Sequence, residues 1–385
     1  MRYTIGQLAE IIDGDRGKNY PKQDEFYPQG YCLFLNTGNV TKEGLIFEEN
    51  QFIMKEKDEA LRKGKLKRGD IVYTTRGTVG NAGYYNSSVP YENVRINSGM
   101  VILRSNGEIV DARFLYQILK SEYYRPYFKQ YCTGSAQPQL PIKNFSQIYL
   151  NVPDIKTQHR IADILSVYDD LIENNQRQIK LLEEAAQRLY KEWFVNLRFP
   201  GHENTKIVDG VPEGWQWCKV RDVADINSSA LPKNYKEDFI DYVDLGSVRC
   251  GHIETRTRYN LNEAPGRAKR CAKDGDIIWG MVRPNLKAYA LVTNPKETDV
   301  FSTGFAVLSA KKVPYSYLYC AVTQEEFVGY LVNATNGAAY PAVKPVHFEV
   351  ADILKPDDKV LEQFHSVADS IYRKKEALEN QNHKP

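Results

Sequence analysis

Between Ile155 and Trp193, apolar side chains recur at Ile161, Leu165, Tyr168, Ile172, Ile179, Leu182, Ala186, Leu189 and Trp193, with Asn175 in the one polar slot. The steps alternate four and three, which is the 3.5-residue period of a coiled-coil seam. At 1.5 Å per residue, about 39 such residues form a rod of roughly 58 Å. A helix of that length cannot bury its seam alone, so the pattern predicts a partner helix in this chain or in another. Asn175 in such a seam is as readily a register device as an accident.

The pattern on either side is different. Segment 1–152 mixes short β-rich runs, such as Ile71-Val72-Tyr73-Thr74 and Met100-Val101-Ile102-Leu103, with glycine turns and one helical face over Phe114 to Lys120. After the breaker-rich Arg198-Phe199-Pro200-Gly201 the pattern repeats. Gly69-Asp70-Ile71-Val72 returns as Gly275-Asp276-Ile277-Ile278, 206 positions later, and Ser98-Gly99 as Thr303-Gly304, 205 later. Gly134 to Pro138 returns as Gly337 to Pro341, and Pro153-Asp154 as Pro356-Asp357, both 203 later. Ordered, drifting offsets indicate a duplicated domain with small insertions and deletions.

The duplication predicts a second long helix after Pro356. Val360, Phe364, Val367, Ile371 and Leu378 supply its apolar steps, with Lys374 in the missing slot. The chain therefore carries its own partner helix. Two equivalent units related by a pseudo-two-fold axis would make the helices antiparallel. The expected architecture is α+β: mixed domains at 1–152 and 201–355, a long helix at 153–200 and a shorter one at 356–385. The shorter helix would cover part of the longer one and leave some seam for another protein.

Composition narrows the function by exclusion. The chain has 385 residues, 42% hydrophobic and 26% charged, with a net charge of +2 that neither requires nor excludes a nucleic acid. Six scattered cysteines and six isolated histidines offer no zinc spacing, so no metal is expected and a reduced, cytosolic protein is the simple reading. No signal peptide or membrane-spanning run is evident. Gly17-Lys18 lacks the rest of a phosphate-binding loop, there is no nucleophile elbow, and no glycine fingerprint for a dinucleotide or S-adenosylmethionine follows a strand. Asp154 and Asp357 suit helix starts better than metal binding. No catalytic site is expected.

What remains is polar and basic loops at matching points of the two segments. In the first, Arg16 and Lys18 lie in a Gly-rich turn expected to be flexible, Lys65, Lys67 and Arg68 precede a strand, and Thr75, Arg76, Thr78 and Asn81 follow it. In the second, Arg267, Lys269 and Arg270 precede the equivalent strand, and Arg283, Asn285 and Lys287 follow it. Ser135 and Gln137 of one late glycine loop correspond to the region of Tyr340 in the other. Arg can read guanine, Asn or Gln can read adenine, and Lys and Thr can hold phosphate.

The runs QHRIADIL, LIENN and KEWFV followed by RFPG resemble the central conserved region of type I restriction–modification specificity subunits. DGDRGKNYPK, TTRGTVGNAGYYN, INSGMVILRS and GSAQPQLP resemble that family's first target-recognition domain, and PEGW the entry to its second. The resemblance covers nearly the whole chain in the family's order. It implies a non-catalytic subunit that reads a bipartite double-stranded DNA target, one domain per half-site, while the helices set the gap. It also implies two methyltransferase subunits docked on the helical residues, including Ile161 to Trp193 and Phe364, Val367 and Ile371, with restriction subunits joining them. S-adenosylmethionine, ATP and magnesium would belong to those partners and no cofactor to this chain. The short distal helix departs from the family and puts one docking surface in doubt. The rival expectation is a coiled-coil scaffold whose globular domains bind something other than DNA.

Overall fold

In chain order the first elements are β1 (Arg2–Thr4), α1 (Ile5–Leu8), β2 (Ala9–Asp13), β3 (Cys32–Leu35), β4 (Phe52–Ile53), α2 (Lys55–Ala60), β5 (Ile71–Thr74), β6 (Ala82–Tyr84), β7 (Val94–Ile96) and β8 (Met100–Ser105). There follow α3 (Ala112–Lys120), α4 (Arg125–Lys129), α5 (Ile142–Ser146), β9 (Tyr149–Asn151) and the long α6 (Ile155–Tyr190). This computed structural model describes residues 1–47, 49–134, 137–335 and 341–382. The chain divides into two units, Met1–Leu171 and Ile172–Pro385, with the division inside α6.

The first unit builds a sheet in the order β2-β8-β5-β6, a second in the order β4-β3-β7, and a β1-β9 pair. β5 and the first four residues of β8 are fully buried, which is why they read as continuous apolar runs without alternation. Tyr73 of β5 stacks on Phe145 of α5 at 4.8 Å between ring centroids, tying the sheet to its helical cover.

The second unit contains a small ribbon, β10 (Ile207–Val208) and β11 (Val211–Pro212), then β12 (Gln216–Lys219), α7 (Val220–Val223), β13 (Ala224–Ile226), β14 (Phe239–Val243), β15 (Val248–Arg249), β16 (His252–Ile253) and β17 (Thr257–Asn260). It continues through β18 (Ala268–Arg270), β19 (Ile277–Gly280), β20 (Tyr289–Leu291), β21 (Asp299–Ser302), β22 (Phe305–Ala310), α8 (Tyr315–Val322), α9 (Glu325–Asn333), α10 (Pro345–Glu349), β23 (Asp352–Lys355) and α11 (Asp358–Asn382). Its sheets run β13-β22-β19-β20, β17-β14-β21-β18 and β12-β23. This is the order of the first unit, with β18 added at one edge of the middle sheet. β14 pairs parallel with β21 as β3 does with β7. Even a turn repeats: Lys67 N donates to Asp70 Oδ2 at 2.7 Å and Lys273 N to Asp276 Oδ2 at 2.9 Å. The duplication read from the glycine echoes is thus present as topology.

Both long helices open on a capping aspartate. Asp154 Oδ1 accepts from Thr157 N at 3.0 Å and Asp357 Oδ1 from Lys359 N at 2.9 Å. In the second unit α11 runs antiparallel to the C-terminal half of α6. Asn175 donates to Gln381 and Asn382, Glu183 meets Lys375, and the Tyr190 ring lies 6.3 Å from that of Phe364. Ile179 and Ala186 are buried along this contact, and Ile172, Leu182, Leu189 and Trp193 half-buried. Asn175 is buried and its amide nitrogen donates twice at the end of α11, as suits a register-setting residue.

Two features of the seam differ from expectation. On α11 the buried line is Leu361, Phe364, Ala368, Tyr372, Lys375 and Leu378, while Val367 is 46% exposed, Lys374 is exposed and Ile371 only half-buried. The reason is that α11 packs on α8 as well as α6: Tyr372 meets Tyr319 and Cys320 of α8, so its buried arc turns away from a two-helix seam. In the first unit, α6 docks on α3 through other residues. Gln158 and Ala162 are buried, Asp163 pairs with Arg113 at 2.7 Å and Asp169 with Lys120 at 2.8 Å. Of the seam residues expected there, Ile161 packs half-buried against the first unit's core, while Leu165 is exposed and Tyr168 61% exposed.

The β15–β16 hairpin reaches this helix pair through His252. Its Nδ1 lies 2.8 Å from Glu379 of α11 and its Nε2 3.3 Å from Glu183 of α6, so both ring nitrogens face carboxylates and the imidazolium is favoured. Burial alone would lower the His252 pKa, but the bonds to Glu183 and Glu379 outweigh it and raise the value from 6.5 to about 9. Because the folded value lies above the unfolded one, the stabilisation is complete below pH 6.5 and is lost as pH rises through about 9. With the side chain 37% exposed, solvent screening reduces the contribution to about 1 kcal/mol. Urea midpoints of wild type and His252→Gln should therefore differ at pH 6 and converge by pH 10. A pH-independent difference would count against the clamp.

Candidate nucleic-acid interface

The loop after β5 is tied to the turn before β8. Thr75 N and Arg76 N both donate to the Gly99 carbonyl, at 2.9 and 3.1 Å, and Thr75 Oγ1 does so at 3.1 Å. Leu140 N donates to the Thr75 carbonyl at 2.9 Å, and Gln139 bridges both Arg76 and Thr133. Asn81 closes the loop from inside, its buried amide donating to the Val40 carbonyl at 2.9 Å. What projects is Arg76, Gly77 and Thr78, all exposed, with Gly77 left-handed at φ 70°. Arg16 joins them from β2's end, donating to the Ser98 carbonyl at 3.2 Å and to Asp13 at 3.1 Å.

The turn carrying Arg16 and Lys18 is not flexible as expected. Asp15 is buried and its carboxylate accepts from Gly17 N at 2.7 Å and Arg62 N at 2.8 Å, and the Gly17 bond in particular, against burial, holds its pKa below the ordinary range. Lys18 projects from this pinned turn into solvent.

Not all the basic residues converge. Lys65, Lys67 and Arg68 sit at the start of β5, about 13 Å of strand away from Thr75, Arg76 and Thr78. Lys65 is committed to Asp58, which also accepts from Arg95. Burial opposes this charged carboxylate, but the two cations hold its pKa below normal. Arg68 packs over the Tyr85 ring at 4.3 Å and donates to the carbonyls of Asn86, Val89 and Tyr91. Lys67 is exposed and lines an open basin of about 460 Å³ with Arg104 and His159. Gln137 is exposed beside the Gln139 bridge, and Ser135 lies outside the described residues.

The second unit repeats the anchoring with different side chains. Met281 N donates to the Gly304 carbonyl at 2.9 Å, Val343 N to the Met281 carbonyl at 2.9 Å, and Val282 bridges Ala342 as Arg76 bridges Gln139. Arg283 therefore stands where the first unit has Gly77, and it keeps the left-handed backbone at φ 50°. Asn285 is exposed and Lys287 pairs with Glu325. Arg267 is exposed and its carbonyl accepts from Thr303 N at 2.8 Å, beside Gly304; Lys269 projects from the edge of β18. Arg270 is half-buried, its Nε without a partner among the described residues. Tyr340 lies outside the described residues.

The anchoring glycines Gly99 and Gly304, and the bridge residue Gln139, carry the loops although their residue types do not announce that role; the signal for the glycines is their repeated Ser/Thr-Gly context. The exposed surface that results offers cations, amides and hydroxyls on rigid loops. That is recognition chemistry for phosphate and base edges. Among the described residues no three His, Cys, Asp or Glu side chains converge as a metal site, and no helix is long and apolar enough to cross a membrane.

Residues 1–184 match the family model of the type I restriction modification DNA specificity domain. The chain is 24% identical over 331 residues to the MjaIX specificity subunit of a type I restriction enzyme from Methanocaldococcus jannaschii, covering 82% of this chain and 74% of that one. It is 25% identical over 409 aligned positions to the MjaVIII specificity subunit of the same organism, covering 98% and 91%. In fold it resembles the crystal structure of a type I restriction–modification S subunit from M. genitalium, with a TM-score of 0.54 over 99% of this chain and 93% of that one at 13% identity.

Proposed function

From its membership of the type I restriction–modification specificity subunits, carried by residues 1–184 and by relatives aligned along most of the chain, we propose that the protein reads a bipartite double-stranded DNA target without catalysing a reaction. The observation that supports this best is the recurrence of one device. Each unit holds an exposed polar loop by hydrogen bonds to the glycine before its longest strand, Thr75 to Asn81 on Gly99 and Met281 to Ala288 on Gly304. Phosphate contacts from Arg16, Lys18, Arg267 and Lys269 would fix register, and Arg76, Thr78, Gln137 and Asn285 would read base edges.

In this reading the two mixed domains are target-recognition domains and the helical segments set the gap between half-sites. Two methyltransferase subunits dock on the helices and restriction subunits join that complex. S-adenosylmethionine, ATP and magnesium act on those subunits, in the cytoplasm. Because methylation requires the adenine outside the stack, the methyltransferase flips it and this chain holds the flanking sequence.

Affinity of the full chain for duplex DNA, alone and with its methyltransferase partner, should fall roughly a thousandfold between 50 and 200 mM salt if six or more phosphates are contacted. Salt-independent or absent binding would instead favour a protein scaffold. Arg76→Ala should cost about 1–3 kcal/mol of discrimination at one half-site only. Equal loss at both half-sites would sink that assignment.

A further inference from the structure

The loop between β19 and β20 is built to present two side chains and to restrain the rest. Arg283 and Lys287 both adopt left-handed backbone, at φ 50° and 54°. The positions they occupy belong to Gly77 and Gly80 in the first unit, at φ 70° and 103°, because Val282 bridges Ala342 as Arg76 bridges Gln139, and Gly280 N meets the Ala288 carbonyl as Thr74 N meets that of Asn81. The second unit thus keeps the conformation that glycine adopts freely and accepts the strain of long side chains there. Both strained residues are held. Arg283 N donates to the Pro341 carbonyl at 2.8 Å, and Lys287 pairs with Glu325.

Between them the second unit has three residues where the first has two. Pro284 is buried and fixes the turn, with Leu286 N donating to the Arg283 carbonyl at 2.9 Å and Lys287 N to the Pro284 carbonyl at 3.0 Å. The tip is then Asn285 and Leu286. Asn285 is exposed and its amide has no partner among the described residues; Leu286 is 58% exposed. A rigid, strained loop that holds an amide and a branched apolar group side by side in solvent matches one chemical surface closely. An A·T pair shows, on its major-groove edge, the N6/N7 pattern that an amide reads and the thymine 5-methyl that an apolar group covers.

We propose that Asn285 and Leu286 are specificity-determining residues of the second unit, the amide reading adenine and the leucine covering the thymine methyl of one A·T pair. The assignment rests on the DNA-reading function proposed above. The first unit, with Arg76 and Thr78 about Gly77 and no apolar tip, reads its half-site by different chemistry.

The test is selection of duplexes from a random library by the full chain, followed by equilibrium binding of the selected duplex with uracil replacing thymine at each position in turn. Uracil at one position of one half-site should weaken wild-type binding about fourfold, the equivalent of roughly 0.8 kcal/mol for one methyl group. Leu286→Ala should lose that sensitivity, and Asn285→Ala should relax the adenine preference at the same pair while Arg76→Ala affects the other half-site. Leu286 is exposed, so its variant is expected to fold. Two selected half-sites with no uracil effect, or a Leu286→Ala chain that keeps it, would overturn the loop assignment alone. No sequence selection by the wild type would overturn both it and the DNA-reading function.

Discussion

Phe364→Ala is expected to destabilise the second unit by about 4 kcal/mol, within the range for emptying a buried phenylalanine site. Phe364 is fully buried on α11. Its ring lies 5.0 Å from that of Phe194, 5.9 Å from Trp193, 6.3 Å from Tyr190 and 6.5 Å from Tyr317. These partners come from the end of α6, from the turn after it and from α8. None can move into the space without abandoning its own contacts, so the cavity would persist. All four tryptophans, Trp193, Trp215, Trp217 and Trp279, belong to the second unit, so their fluorescence reports on its unfolding. A urea midpoint equal to wild type would show that the aromatic cluster is not what holds α11.

Lys375→Met should cost about 3–5 kcal/mol, because it strands two carboxylates. The Lys375 side chain is 7% exposed; its ammonium lies 2.7 Å from Glu183 and 3.6 Å from Glu379, and it donates to the Gly251 carbonyl at 2.8 Å. Burial opposes the charged forms of both glutamates, but bonds to His252 and attraction to Lys375 keep their pKa values low. Without the ammonium, His252 alone faces two negative groups. Adding Glu183→Gln should recover much of the loss, since one carboxylate can be served by one imidazolium. Strict additivity of the two substitutions would mean that the groups do not act as a unit.

The buried lysine also marks where pattern reading stops. The 3.5-residue repeat found α6 because Ile179, Leu182 and Ala186 obey it. On α11 the same rule chose Val367, whereas the packed positions are Ala368, Tyr372 and Lys375. A paired lysine carries no apolar signal, alanine and tyrosine carry less than the valine and isoleucine beside them, and the period bends because α8 competes with α6 for the same helix. The duplication was legible for a physical reason: Gly69 and Gly275 are left-handed, and Gly99 and Gly304 sit at turns whose carbonyls receive the loops. The loops were legible as matching segments but not residue by residue, since Arg283 stands where Gly77 does. Lys65 and Arg68 look like any other exposed cation in a basic run. Their commitment to Asp58 and to the carbonyls near Tyr85 depends on contacts that no local pattern encodes.

The reach of His252 to both helices has a consequence for building hybrid chains. A cassette spanning residues 201–355 carries His252 away from Glu183 and Glu379, which lie outside it on either side, so an exchanged cassette with a histidine at that position keeps the contact only where the host chain supplies both carboxylates. A graft that neglects those two positions would leave its histidine facing the wrong neighbours. The compatible crossover points are therefore set by an electrostatic triad as much as by the linkers at either end.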